Sequence, residues 1–265
     1  MAELAYAHDS KSCGLYVRVG STPTMPTRMP KRKSYERKFI WTPELAYVVG
    51  LLVTDGNLSS DGRHIVMRSS DIDLLQTFKK CLKIDNKIGR TRSGANDSYR
   101  VQLGDVEFYR WLLTIGLFPN KTHSISAIRI PDEYFRDFIR GHFDGDGTLF
   151  TYKDKYNSYR GRVYSNNRVY VKLISVSPAH IFWLHRKIQK LSGLKGALIK
   201  NAPLREDRVP MWEVKLAKKE SIKFLLWIYY KPNLPSLRRK QILARKLIKL
   251  VQNEKRKIYS KIRPD

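Results

Sequence analysis

Val48 to Gly56 reads VVGLLVTDG, and Ile139 to Gly147 reads IRGHFDGDG. The stretches match in a mid-segment glycine (Gly50, Gly141), a penultimate aspartate (Asp55, Asp146) and a closing glycine (Gly56, Gly147), at a spacing of domain length. A repeat on that scale implies a duplicated domain whose copies pack about a pseudo-twofold axis and bring equivalent residues together. Apolar residues recur at helical spacing in each copy, Leu45, Val48, Val49 and Leu52 in the first and Phe135, Phe138 and Ile139 in the second. Each copy therefore predicts a helix with one buried stripe. Pro43 and Pro131 stand at plausible first helical positions, and Gly56 and Gly147 at helix ends that a left-handed glycine can close.

Glycine inside a helix costs roughly 1 kcal/mol relative to alanine, so Gly50 and Gly141 require an offsetting gain. A missing side chain lets two helix backbones approach, which predicts that the motif helices cross at these glycines. Asp55 and Asp146 then stand side by side at two helix C-termini, where the peptide dipoles already place partial negative charge. Two carboxylates in that field need a cation. Hard divalent ions such as Mg²⁺ take oxygen ligands, keep part of their water shell and act on phosphodiesters.

Composition points to the same substrate. Lys and Arg number 51 against 24 Asp and Glu, a formal charge of +27, so the partner is a polyanion and nucleic acid leads. A membrane partner fits poorly, because no stretch approaches the ~20 apolar residues of a span. With 42% hydrophobic residues, 5 Trp, 15 Tyr and 10 Phe, the chain can bury real cores. Two cysteines, Cys13 and Cys81, make neither a disulfide framework nor a zinc cluster and suit a reducing compartment. The start of the sequence lacks an apolar signal core, so the expectation is an intracellular protein, with cytoplasmic, nucleoid and organellar settings all open.

The paired motifs resemble those of the LAGLIDADG homing endonucleases, in particular the single-chain kind, over residues 40 to 260. The resemblance implies an α+β fold of two pseudo-symmetric αββαββα halves that form a DNA-binding saddle of antiparallel sheets. It divides the chain into a basic N-terminal arm (1–38), a first half (39–125), and a second half with a basic C-terminal helix (126–265). It also implies a monomeric, site-specific, double-strand DNA endonuclease encoded within an intron. Asp55 and Asp146 would coordinate Mg²⁺, or Mn²⁺ or Ca²⁺ at the same place, and activated water would cut each strand to leave short 3′ overhangs without a covalent enzyme intermediate. The family sets a lysine late in each half near the scissile phosphate; Lys121 in GLFPNKT matches it, as does Lys240 in YYKPNLPSLRRKQ, with Arg239 a near competitor. Arg68, Ser69, Val176 and Ser177 fall where relatives position water or metal, and Val176 is unsuited to that work, so the two centres look unequal. The sixth motif position is Val53 in one copy and Asp144 in the other. Asp144 reads as a helix-end or supporting group. The alternative function is a group I intron maturase that binds its host intron RNA.

Read half against half, the order of elements repeats. Ser60-Asp61-Gly62 marks a hairpin with His64 to Arg68 as its second strand, and Asp71 caps a helix to Leu82. Strands near Asn86 to Arg92 and Tyr99 to Leu103 and a helix from Asp105 to Ile115 follow. The second half has strands between Leu149 and Ser177, a helix from Pro178 to Leu191, strands near Leu198 and at Trp212 to Leu216, and helices from Lys218 to Tyr230 and Ser236 to Tyr259. Val101 and Leu103 alternate with Arg100 and Gln102, and Trp212, Val214 and Leu216 with Glu213 and Lys215, so each sheet has one core face and one polar face. His64, Arg68, Tyr170 and Lys172 join the polar surface, which suits phosphates and base edges. Residues 152–168 carry Lys153, Lys155, Arg160, Arg162 and Arg168 and read as a long hairpin along a phosphate backbone. Residues 1–35, with Pro23, Pro26, Pro30 and the run Lys31-Arg32-Lys33, lack periodicity and read as a poorly ordered arm.

Overall fold

The computed structural model describes residues 37–93, 96–159, 162–203 and 209–262, without the side chains of 92, 93, 96, 153–159, 162–167, 218 and 254–262. The predicted N-terminal arm lies outside the described residues, apart from its last two positions. From Arg37 onward the chain forms one compact unit.

Its elements run α1 (Pro43–Thr54), β1 (Gly56–Leu58), β2 (His64–Ser69), α2 (Ile72–Leu82), β3 (Ile88–Ser93), β4 (Asn96–Gly104) and α3 (Val106–Thr114), then α4 (Phe135–Asp146), β5 (Thr148–Tyr159), β6 (Arg162–Ser175), α5 (Pro178–Ser192), β7 (Ala197–Asn201), β8 (Met211–Leu216), α6 (Lys218–Ile228) and α7 (Arg238–Ile262). The order αββαββα thus occurs twice, with α7 added. Each half makes a four-stranded antiparallel sheet, in the orders β1-β2-β4-β3 and β5-β6-β8-β7. The matching orders are what a duplication predicts.

Thr42 opens α1 by accepting the Leu45 amide on its Oγ1 at 3.1 Å, with Pro43 at the first helical position. Pro131 behaves differently: it precedes a 3-10 turn, Asp132–Tyr134, and α4 begins only at Phe135. Ala46 to Val53 are all buried, because α1 packs against α4 of the other half and against α2 and β1 of its own. A Cβ on Gly50 would lie 2.1 Å from the Phe138 carbonyl oxygen, and one on Gly141 2.1 Å from the Tyr47 carbonyl oxygen. The glycines are therefore the crossing point of the motif helices. Gly56 and Gly147 correct an expectation, since neither adopts a left-handed φ. Space requires them instead: a Cβ would meet the Leu52 Cα at 2.5 Å in one case and the Phe143 carbonyl oxygen at 2.5 Å in the other.

The core runs from both sheets through this seam, from Leu75, Phe78 and Phe108 to Phe138, Phe143 and Phe224, all 2% exposed or less. Helix α7 ties the halves together, as Arg239 Nη2 donates to Asp71 Oδ2 at 2.9 Å. Asp71 does stand at the cap position of α2, but its carboxylate serves this ion pair and makes no side-chain cap bond. Among the described residues no helix is long and apolar enough to cross a membrane.

Candidate active site and nucleic-acid interface

The site forms where α1 and α4 end. The Thr54 hydroxyl donates back to the Leu51 carbonyl at 3.0 Å and sits 3.4 Å from Asp55 Oδ2. The Asp55 carbonyl accepts the Arg68 amide at 3.3 Å, which fixes the end of α1 against β2. A Cβ on Gly145 would meet Thr54 Oγ1 at 1.9 Å and Asp55 Oδ2 at 2.7 Å, so the Asp55 carboxylate rests on the opposite helix one residue before Asp146. The fold thus brings the two motif aspartates together. Burial and, after it, the Asp146 charge push the Asp55 pKa up to about 6. Asp146 keeps contact with solvent, yet the protein atoms crowded around it raise its pKa as well.

A lysine lies buried beside each helix end. Lys121 follows Asn120, whose left-handed backbone (φ 55°) starts a 3-10 turn, and its Nζ donates to the Gly56 carbonyl. Lys240, in the first turn of α7, donates to the carbonyls of Phe143 (2.6 Å), Asp144 (2.9 Å), Gly145 (3.3 Å) and Gly147 (2.6 Å). Gly56 and Gly147 are the equivalent motif glycines, so each lysine caps the motif helix of its own half. Burial lowers both lysine pKa values, that of Lys240 to about 8, while Asp55 and Asp146 act to hold them up. Lys240's sequence competitor, Arg239, instead has its guanidinium bound to both carboxylate oxygens of Asp71.

Asp144 is a buried junction. It accepts from the Tyr47 hydroxyl (2.9 Å), the Tyr229 hydroxyl (3.3 Å) and the Leu237 amide (2.7 Å), and burial pushes its pKa up to about 6. It thereby seats the start of α7, which carries Lys240. Ser177 corrects another expectation: its buried hydroxyl donates to the Ile125 carbonyl at 2.5 Å and serves to tie α5 to the linker between halves. Ser69 Oγ accepts the Asp71 amide at 3.0 Å.

Sequence reading missed a buried histidine pair. His180 Nδ1 lies 2.7 Å from the Ser126 carbonyl, and the Nε2 atoms of His142 and His180 are 3.3 Å apart. The carbonyl requires a proton on His180 Nδ1, so for neutral rings His142 Nε2 donates to His180 Nε2. Burial depresses both pKa values, that of His180 to about 4. These rings line a cleft of about 170 Å³ with Lys121, Asp146, Ser175 and Val176. The only signal in the sequence was a histidine within an otherwise apolar motif face.

The polar sheet faces carry most of the remaining predicted residues. Arg68, Arg100 and Gln102 are exposed. His64 is partly drawn into its own turn, with Asp61 accepting the Arg63 and His64 amides and contacting His64 Nδ1. In the second sheet, Tyr170 stacks between Phe150 (centroids 5.2 Å) and Tyr152 (6.0 Å), with Lys215 Nζ 4.7 Å from its ring. Lys172 Nζ donates to Glu213 at 2.9 Å. Arg168 pairs in register with Tyr152, on the hairpin that carries β5 and β6 out to Tyr159 and Arg162. Lys153, Lys155 and Arg162 have described backbone in these strands but not described side chains, and Arg160 lies outside the described residues.

In sequence, no family model and no curated protein matches the chain. In structure, the LAGLIDADG meganuclease I-AabMI bound to uncleaved DNA aligns over 82% of this chain and 92% of its own, with a TM-score of 0.55 at 14% identity. The meganuclease I-SmaMI bound to uncleaveable DNA aligns over 82% and 92%, with a TM-score of 0.54 at 12% identity. The I-LtrWI LAGLIDADG homing endonuclease bound to target DNA aligns over 80% and 91%, with a TM-score of 0.53 at 12% identity. At these identities the likeness is one of fold, and it spans nearly the whole of each neighbour. The chain has the α+β, two-halved LAGLIDADG fold.

Proposed function

We propose that this protein is a site-specific DNA endonuclease of the LAGLIDADG type, acting as a monomer on a duplex laid along its two sheets and encoded within an intron. The observation that carries the reading is the seam itself: two carboxylates at adjacent helix C-termini, each half supplying one, with a buried lysine beside each. Packing alone would not place ionisable groups there, because their shared surroundings hold the protons on Asp55 up to about pH 6.

The residues fit a divalent ion. The Asp55 carboxylate occupies a cradle that a Cβ on Gly145 would fill, and Asp55 and Asp146 together offer hard oxygen donors in a field that favours positive charge. Mg²⁺, Mn²⁺ or Ca²⁺ would be held by Asp55 and Asp146, and when bound such an ion supplies phosphate charge neutralisation and a more acidic water. The chain's own residues do the rest. Lys121 and Lys240 bring positive charge to the same seam, opposing the helix dipoles and favouring ionised aspartates. Arg68, Arg100, Gln102, Lys172 and Lys215, with the basic residues of the β5–β6 hairpin, hold the backbone and read base edges.

A library of randomised duplexes incubated with the protein and Mg²⁺ should yield one enriched site cut on both strands. Asp55→Asn and Asp146→Asn should each stop cutting of that site and leave its binding intact. Cutting that persists in either variant would remove the assignment of the acids. A protein that cuts no duplex but accelerates splicing of an intron RNA would be a maturase, the reading against which the intact pair of acids weighs.

A further inference from the structure

The registers of the two sheets allow the halves to be compared row by row. In the first, Asn57 pairs with Val66 and Val66 with Gln102; in the second, Thr148 pairs with Lys172 and Lys172 with Lys215. Asn57 and Thr148 each come two residues after the motif aspartate, so these rows are equivalent. The next row is Arg68, Arg100 and Gly89 in the first half and Ile174, Glu213 and Ile199 in the second. Beyond it, Ser98 pairs with Thr91 where Met211 pairs with Asn201.

These inner rows are chemical opposites. Arg68 and Arg100 stand directly across from each other, both exposed, and neither has an ion-pair partner among the described residues. Like charges opposite one another on a sheet destabilise it, so the pair gains only when a ligand meets it. Gly89 leaves the surface beside Arg100 open: a Cβ there would lie 3.8 Å from Arg100 Cγ. In the second half Glu213 is 5% exposed and bound to Lys172, which leaves no free charge in the row. What remains is apolar, Ile174 and Ile199 partly buried and Met211 37% exposed. Ile174 and Met211 also line the cleft beside Asp146, so this face adjoins the seam.

In a major groove, a guanidinium pairs with guanine O6 and N7, and an apolar side chain meets the thymine methyl. We infer that the target duplex is lopsided: next to the cut, the half-site under the first sheet carries guanines read by Arg68 and Arg100, and the half-site under the second carries thymines packed on Ile174, Ile199 and Met211. This rests on the proposed DNA reading and adds the base chemistry of each side.

The test begins with the site selected from the randomised library, then replaces bases by analogues in the inner positions of one half at a time. In the half-site whose guanine preference Arg68→Gln and Arg100→Gln abolish, 7-deazaguanine, which lacks N7 but keeps O6, should weaken binding by about 5-fold or more, within the about 150-fold that a whole bidentate base contact is worth at most. In the other half, deoxyuridine for thymidine should weaken it by about fourfold per fully buried methyl, with the arginine variants leaving that effect unchanged. A selected and cleaved site with the same base types on both inner flanks, or one indifferent to deoxyuridine, overturns the inference and leaves the endonuclease reading standing. Selection of no duplex at all overturns both.

Discussion

Alanine at Gly50 sets two effects against each other. In an isolated helix the change would stabilise by about 1 kcal/mol. Here the new methyl would lie 2.1 Å from the Phe138 carbonyl oxygen and 2.7 Å from the His142 nitrogen, far short of the 3.4 Å at which ordinary contact begins. Both obstacles are backbone atoms of a buried helix, so no side-chain rotation relieves them, and α1 and α4 must separate. Overpacking costs typically ~1–3 kcal/mol, with the upper end apt for a rigid obstacle, and a gap opened along the seam forfeits dispersion on both sides. Overpacking wins, for a net loss of about 2 kcal/mol or more after the ~1 kcal/mol of regained propensity. Urea denaturation of Gly50→Ala should show the midpoint falling at unchanged slope. Cleavage should fall further than stability does, because the same separation lifts Asp55 from its seat on Gly145. A Gly50→Ala protein as stable as the parent would refute the close crossing on which the site's geometry depends.

Asp144→Ala should be among the most destabilising single changes, about 3 kcal/mol or more, since it strands the Tyr47 and Tyr229 hydroxyls and the Leu237 amide at about 1–3 kcal/mol for each buried group left unsatisfied; thermal denaturation reads it, and a shift typical of a surface site would contradict the junction role. Lys121→Met and Lys240→Met should both abolish cleavage, but Lys240→Met should unfold in less urea because it frees four carbonyls where Lys121→Met frees one; Arg239→Ala, which loses an exposed pair worth about 1 kcal/mol at most, should retain cutting. The Asp55 pKa is raised from 3.8 to about 6 in the fold, so the stability its protonated form contributes is complete below pH 3.8 and lost as pH rises through about 6. In metal-free buffer Asp55→Asn should therefore be more stable than the parent at pH 8 and indistinguishable from it at pH 3.5, and equal stability at pH 8 would argue that the carboxylate is not strained.

The parts of the molecule legible in sequence are those set by local periodicity or by one strict steric demand. Gly50 and Gly141 announced the crossing because nothing else explains two glycines in buried helices. Alternation in Tyr99 to Leu103 gave the correct faces, with Val101 and Leu103 buried and Arg100 and Gln102 exposed. What stayed hidden depends on the exact path of the backbone or on long-range placement. Gly56 and Gly147 looked like left-handed caps, but the constraint on them is the close approach of the residue one helical turn back, Leu52 and Phe143, which only the folded backbone reveals. Asp71 fits the local grammar of a cap, but an arginine far along the chain draws its carboxylate away. Asp144 was legible only as a supporting group and the His142–His180 pair not at all, because their partners come from α1, α5, the end of α6, the start of α7 and the linker, which no spacing within the motif encodes.

The two halves agree where the seam forces them to and differ elsewhere, and the difference explains α7. At the sixth motif position α1 has Val53, 7% exposed among apolar neighbours, while α4 has Asp144, whose burial would be costly without partners. One of those partners, the Leu237 amide, comes from the start of a helix with no counterpart after α3. The acid and the extra helix therefore belong to one device: Asp144 fixes the start of α7, and the fixed start delivers Lys240 to the carbonyls at the end of α4. The first half reaches the same result with less, since Asn120 turns the chain and Lys121 meets a single carbonyl at Gly56. A lysine held by four acceptors has little freedom to follow a phosphate, whereas one held by a single acceptor can move with it. The near-symmetry of the aspartates thus conceals two centres of different stiffness, built around a twofold axis that the surrounding chain does not obey.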